Sequence, residues 1–333
     1  MVRGATTLDR VEPNRVRWRH AAQVTDAEQH QYVALCARVD RHGLIGAECR
    51  SLTGATPDGD GVAPCSTVDL VTRAAYVQKG LEVIARGTTL AELIDAIAGA
   101  DFDADGFRID IHDPSGWLNL STQETATAIA DVIPFGPDLK QPRTRFVVVA
   151  VDGMVVFGRV VSQTDASYRR HDAKPWTTSS SLDARFARGL VNLVPTAASV
   201  LDPCCGAGSI VLEAAALGRD AYGVDWKPAM VGMTTENLAH FEYSAVVTRA
   251  DSRDHEQHVD AIVTDLPYGH AIDADEATIR AILRRGVELA PIAVYVAPTD
   301  IAVWLRAAGY VDVEVCTVRK RAGFTRWIHI ARR

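Results

Sequence analysis

Apolar and polar positions follow two different patterns along this chain. In the first half the pattern is mixed. Asp26 can cap a helix that runs to about Asp40 and ends near Gly43. Residues 51–65 are rich in Gly, Thr, Asp and Pro and read as a loop. Ser66 or Thr67 can cap a second helix carrying Val68, Val71, Ala75, Val77, Leu81 and Ile84. Thr89-Leu90-Ala91-Glu92 matches a capping box, and Gly99 stops the helix behind it. Residues 107–111 read as a strand. Residues 146–151 and 154–161 flank Asp152-Gly153, a hairpin signal. The first half is therefore expected to be α+β. Residues 167–181 break the pattern with polar residues, Pro175 and a serine run, which suits a linker.

The second half alternates. An amphipathic helix is expected over 182–194. Then Val200-Leu201 leads through a Gly-rich turn to a helix over 209–217. Strands are predicted at 221–224, 246–249, 259–264 and 292–296, with helices at 277–289 and 301–308. Gly309 stops the last helix, and strands at 311–318 and 327–330 close the chain. Such alternation predicts a doubly wound, mostly parallel α/β sheet, whose ligands bind beyond the carboxyl ends of the strands.

Composition narrows the function classes. A chain of 333 residues with 47% hydrophobic content is long enough for two or three domains. It contains no run of about 18 apolar residues, so no membrane span is expected. Residues 1–10 lack the apolar run of a secretory signal. The six cysteines are irregularly spaced, and adjacent Cys204-Cys205 fit neither a zinc clip nor a thioredoxin motif. Reduced thiols and a cytoplasmic location are the expectation. His171, His255, His258 and His270 have no metal spacing. A net charge of −7 argues against a general nucleic-acid coat. Two basic clusters remain as candidate phosphate contacts. One lies within residues 1–20; the other comprises Arg319, Lys320, Arg321, Arg326, Arg332 and Arg333.

The candidate chemistry sits in the turns after the predicted parallel strands. In Asp202-Pro203-Cys204-Cys205-Gly206-Ala207-Gly208, the two glycines let the backbone turn sharply and approach a ligand. Asp225 follows 23 residues after Asp202, where a carboxylate can accept both hydroxyls of an adenosine ribose. A nicotinamide fingerprint would place Gly or Ala where Val211 stands. Asp202 would also repel a pyrophosphate. It suits S-adenosylmethionine, whose sulfonium and ammonium are cationic. Asp251, after the third strand, can accept from the adenine amino group. Trp226 and Ser252, next to these two aspartates, complete the expected cofactor set, in which Cys204 serves through its backbone.

The fourth strand ends in Asp265-Leu266-Pro267-Tyr268-Gly269. An exocyclic amine on a base is a poor nucleophile because its lone pair is delocalised into the ring. Acceptance of its N–H groups by the Asp265 carboxylate and the Leu266 carbonyl draws the nitrogen towards a tetrahedral geometry. Pro267 stiffens the turn and brings no competing donor. Tyr268 offers a face for an extruded base.

These two segments resemble amino-methyltransferases of the N/D-P-P-Y type, with Leu266 in place of the first proline. More closely, the chain resembles the THUMP-domain tRNA guanine-N2 methyltransferases. That resemblance rests on Lys174-Pro175-Trp176, on Ser180-Ser181-Leu182-Asp183-Ala184-Arg185-Phe186-Ala187-Arg188-Gly189-Leu190-Val191-Asn192-Leu193, and on Asp138-Leu139-Lys140 with the Asp152-Gly153 hairpin. It implies a ferredoxin-like region over 1–65, a THUMP-like RNA-binding domain over 66–165, a linker over 166–181 and a Rossmann-like class I methyltransferase domain over 182–333. It further implies S-adenosylmethionine as cofactor and tRNA as partner. The target would be a guanine at position 10 or in the acceptor arm. A small activating subunit, as some eukaryotic relatives use, stays open. N6-adenine methylation of DNA or RNA is the alternative chemistry. Methylation of a protein glutamine amide is disfavoured by the α+β front half. A non-catalytic RNA-binding scaffold would predict decay of the cofactor loop or of Asp265, and both are intact.

Overall fold

The computed structural model describes residues 31–37, 42–151, 153–267, 275–321 and 323–333. The N-terminal sheet comprises β1 (Tyr32–Cys36), β2 (Val62–Cys65), β3 (Val77–Gly87), β4 (Phe107–His112), β5 (Thr144–Val151) and β6 (Met154–Gln163), in the order β2-β1-β3-β6-β5-β4. Only β4 and β5 pair in parallel. Helix α1 (His42–Thr53) covers one part of this sheet, and α2 (Leu90–Ala98) and α3 (Thr122–Ala130) cover another. Thr89 caps α2 by accepting the Glu92 N–H, as its sequence predicts. Under α2 and α3, Phe107, Phe146 and Phe157 pack with Leu93, Ile97 and Ile129 in one buried cluster.

Three expectations for this half fail for identifiable reasons. The helix expected up to Asp40 is instead strand β1 wherever it is described. β1 has neighbours on both edges, and four of its five residues are buried. Such a strand loses its polar–apolar alternation and reads like a buried helix. The helix expected after Ser66 or Thr67 is a 3-10 turn, Asp69–Arg73, followed by β3. Pairing of β3 with β6 shifts register after Gly80 and after Val83. These bulges bury Val77, Gly80, Leu81 and Ala85, a spacing that mimics a helix. Lastly, the loop expected over 51–65 contains the end of α1 and all of β2.

The C-terminal half follows its predicted alternation. Helix α4 (Ala184–Asn192) is capped by Asp183, whose carboxylate accepts the Phe186 N–H. There follow β7 (Ser199–Asp202), α5 (Ser209–Ala216), β8 (Asp220–Asp225), α6 (Pro228–His240), β9 (Val246–Arg249), β10 (Ala261–Asp265), α7 (Glu276–Leu289), β11 (Ile292–Ala297), α8 (Ala302–Ala308), β12 (Asp312–Arg321) and β13 (Phe324–Arg332). Sequence periodicity does not reveal α6. Few of its residues are buried, and Thr234 and Asn237 among them are polar. The sheet order is β12-β13-β11-β10-β7-β8-β9. β7 to β11 are parallel, and β13 runs antiparallel between β11 and β12. The winding reverses between β7 and β10, which opens a crevice at their carboxyl ends.

Two features of the seam bear on domain organisation. First, the N-terminal sheet is continuous across residue 65, since β1 pairs with both β2 and β3, so that boundary does not divide it. Second, residues 167–181 are docked rather than loose. His171 and Arg188 both engage Glu213 of α5, at 2.6 and 2.7 Å, and all three are almost fully buried. The Glu48 carboxylate on α1 accepts the N–H groups of Ala75, Tyr76 and Val77 and the Asn192 amide of α4. Burial drives its pKa up, and these hydrogen bonds oppose the shift. One hydrophobic cluster accordingly runs from Leu44 and Tyr76 through Phe186 and Leu190 to Val200 and Val263.

Candidate active site

The crevice is built from three β-strand ends. β7 delivers Asp202, β8 delivers Asp225 and β10 delivers Asp265. Asp202 is 3% exposed. Its Oδ1 accepts the Thr264 hydroxyl at 2.7 Å and the Cys204 N–H at 3.1 Å. Burial pushes its pKa up to about 7; the Thr264 hydrogen bond opposes this, and Asp265 and Asp225 add to it. A cation in the crevice would lower the cost of ionising Asp202.

The turn after β7 is shaped by glycine and held by α6. Gly206 and Gly208 have φ of 54° and 81°. A Cβ on Gly208 would lie 2.5 Å from Cγ2 of Thr234, whereas one on Gly206 would meet nothing within 4 Å. Thr234 donates its hydroxyl to the Gly206 carbonyl at 2.7 Å, and Asn237 donates to the Ala207 carbonyl at 2.8 Å. Thr234 and Asn237 are three residues apart on α6 and therefore neighbours on one face. With the Gly206 carbonyl drawn to α6, the planar trans peptide turns the Ala207 N–H the opposite way. Burial pushes the Cys204 thiol up to about 12, with the charge of Asp202 adding to the shift. Cys204 is thus a neutral thiol, 3.7 Å from the Ser252 hydroxyl.

Asp225 bridges two segments, accepting the Gly206 N–H at 3.1 Å and the Lys227 N–H at 2.8 Å. The structure therefore brings the glycine turn and the end of β8 together around one carboxylate. Trp226 is 64% exposed beside it, with the Lys227 ammonium 5.2 Å from its ring centre. The Ser252 hydroxyl donates to the Pro203 carbonyl, which ties the loop after β9 to the same turn. Asp251 is turned to its own neighbour. Arg253 pairs with both of its carboxylate oxygens and holds its pKa below the usual range. At the end of β10, Leu266 is buried and its N–H donates to the Val296 carbonyl of β11 at 3.0 Å. Pro267 follows, and Tyr268 lies outside the described residues.

Thr264, Thr234 and Asn237 hold this site and are missed by sequence reasoning. Each is buried and polar, but none lies in a glycine or aspartate motif. Two members of the C-terminal basic cluster are engaged within the fold. Arg326 is buried with its guanidinium over Phe186, and Arg332 pairs with Asp312. The basic residues of 1–20 lie outside the described residues.

A central β7, reversal at β10, and an antiparallel β13 inserted between β11 and β12 together define the class I methyltransferase architecture. More particularly, residues 170–287 match the RMKL-like methyltransferase domain family. The chain is similar to the tRNA (guanine(10)-N2)-dimethyltransferase of Methanothermobacter thermautotrophicus. Identity is 32% over 220 residues, covering 62% of this chain and 66% of that protein. It is 31% identical over 124 residues to the protein of the same name from Pyrococcus abyssi, covering 34% of this chain and 38% of that one. The chain thus spans two thirds or less of these two relatives' own length. Among solved structures, TrmN from Thermus thermophilus is similar over 91% of this chain and 99% of its own, at 18% identity and a TM-score of 0.48. Among the described residues, no helix is long and apolar enough to cross a membrane.

Proposed function

We propose that the protein is an S-adenosylmethionine-dependent methyltransferase that modifies the N2 amino group of a guanine in tRNA, at position 10 or in the acceptor arm. The observation that carries this reading is the convergence of Asp202, Asp225 and Asp265 at the ends of three strands of a class I sheet. The names of the curated relatives supply the nucleobase and the RNA.

The residues present fit the cofactor. Three carboxylates stand at neighbouring strand ends, two of them raising the pKa of the third, and a Cβ on Gly206 would meet nothing within 4 Å. Asp202, with Cys204, Gly206 and Gly208, would receive the cationic amino-acid end. Asp225 would accept the ribose hydroxyls, with Trp226 beside the base. Asp251 and Ser252 would close the adenine side, where Asp251 exchanges one contact with Arg253 for one with the ligand. When bound, S-adenosylmethionine supplies a methyl group on a positively charged sulfur.

The acceptor is prepared by the protein. Asp265 and the Leu266 carbonyl accept the two N–H groups of the guanine amine and localise its lone pair, while Pro267 brings no donor to compete. Tyr268 would offer a face to the extruded base. Catalysis then rests on positioning and electrostatic fit rather than on a strong general base. The N-terminal half is assigned as a THUMP-like tRNA grip, and the cytoplasm as the compartment, in keeping with six free cysteines.

The test is methyl transfer from labelled S-adenosylmethionine to unmodified tRNA transcripts, followed by nucleoside analysis. Label in N2-methylguanosine supports the reading. Label in N6-methyladenosine replaces the substrate, and no label on any tRNA contradicts the assignment.

A further inference from the structure

One side chain of α6 bridges the segment that joins the two halves and the candidate cofactor turn. Asn237 of α6 is 1% exposed. Its Oδ1 accepts the Trp176 N–H at 2.9 Å. Its Nδ2 donates to the Trp176 carbonyl at 2.9 Å and to the Ala207 carbonyl at 2.8 Å. One amide therefore clamps both backbone groups of Trp176 and the turn that carries Gly206 and Gly208. Two further bonds hold the same segment in place. The Ser209 hydroxyl, at the start of α5, donates to the Leu182 carbonyl at 3.0 Å. The Trp176 indole N–H donates to Glu236, also on α6. The segment continues upstream into the 3-10 helix Ser167–Ala173, whose His171 is locked to Glu213. A displacement of Trp176 would thus pull directly on a peptide of the cofactor turn.

We propose that Asn237 is a positioning residue that couples occupancy of the cofactor turn to the order of the connecting segment at Trp176. This inference rests on reading that turn as the cofactor site. An asparagine suits the role because only a planar amide offers one acceptor and two donors at this length. All its polar partners are backbone groups, so the link does not depend on flexible side chains. Ligand binding stiffens the turn, and the shared amide transmits that stiffness to Trp176. By reciprocity, anything that fixes the connecting segment, RNA on the N-terminal half included, tightens the cofactor site.

The experiment is hydrogen–deuterium exchange on the full-length protein, with and without S-adenosylhomocysteine as probe. In the wild type, the probe is expected to slow exchange both in the turn around residues 206–209 and at the Trp176 amide. Asn237→Ala should bind the probe about tenfold more weakly. At saturation it should still protect the turn but no longer Trp176. Asn237→Asp keeps the volume and the acceptor for the Trp176 N–H while losing the donor to the Trp176 and Ala207 carbonyls, so it is a second variant for the case in which the alanine variant does not fold. It should likewise uncouple the two segments. Protection of Trp176 by the probe in either folded variant, to the wild-type extent, would overturn the proposal. So would a wild type that binds the probe without protecting Trp176. A wild type that does not bind the probe at all refutes the cofactor assignment itself, a result distinct from these.

Discussion

In the N-terminal sheet, Asp110 lies on a strand face between Lys79 and Arg108, each about 3 Å away. In the C-terminal sheet, Asp202, Asp225 and Asp265 stand at the ends of strands. Partial burial works against ionisation of Asp110, but Lys79 and Arg108 together hold its carboxyl below the usual range. Asp202 has no basic partner among its hydrogen bonds, and burial with two like charges nearby pushes it up to about 7. A carboxylate that the fold neutralises with its own cations serves stability. One left with neutral donors in a buried crevice costs stability and is suited to a ligand that brings the cation.

Five variants test this contrast. The largest effect is expected on chemistry. Asp265→Ala should lower the rate of methyl transfer by about 10³-fold while leaving S-adenosylhomocysteine affinity nearly unchanged. An equal loss in both would move Asp265 from the amine to the cofactor.

Asp202→Asn comes next. The raised carboxyl means that, between about pH 4 and 7, the folded chain holds a proton that the unfolded chain has released. Stability therefore falls as pH rises through that window, and the full cost, on the order of 4 kcal/mol, remains above pH 7. The asparagine keeps an oxygen for Thr264 and Cys204 but carries no charge. Its melting temperature should exceed the wild type's by several degrees at pH 8 and equal it near pH 4. Cofactor affinity should fall, and wild-type affinity for the cationic cofactor should rise from pH 6 to pH 8. A melting difference that is the same at both pH values would remove the electrostatic explanation.

The glycine pair tests the turn. Gly208→Ala meets both a positive φ and Thr234 at 2.5 Å, so about 2–3 kcal/mol of stability should be lost, with cofactor binding. Gly206→Ala meets only a positive φ of 54° and should cost about 1 kcal/mol in a urea melt. The reverse order would show that crowding against α6 does not shape the turn. Smallest of all, Lys79→Ala removes a partly exposed ion pair and should cost under about 1 kcal/mol. A larger loss would show that the Asp110 pair contributes more than a partly exposed ion pair does.

The same two regions differ in legibility. The C-terminal sheet could be read almost strand by strand because each strand is a short apolar run closed by a turn and followed by a helix. The glycine turn and the Asp-Leu-Pro segment were legible because their chemistry is carried by residue type at fixed places in that alternation. In the N-terminal sheet, β1 hid because it is buried on both faces, and β3 hid because its bulges impose a helix-like spacing on Val77, Leu81 and Ala85. Asn237 and Thr234 were illegible for another reason. Their importance comes from meeting backbone carbonyls some 30 residues earlier in the chain, and no local pattern encodes such a meeting.

Receipt of a guanine's exocyclic amine beside Asp265 is the core of the proposed function. It is tested most directly by replacing the guanosine that accepts label with inosine, which lacks only that amino group, in an otherwise identical transcript. Methyl transfer from S-adenosylmethionine is expected to disappear while binding of the transcript persists. Undiminished transfer to the inosine transcript would contradict it.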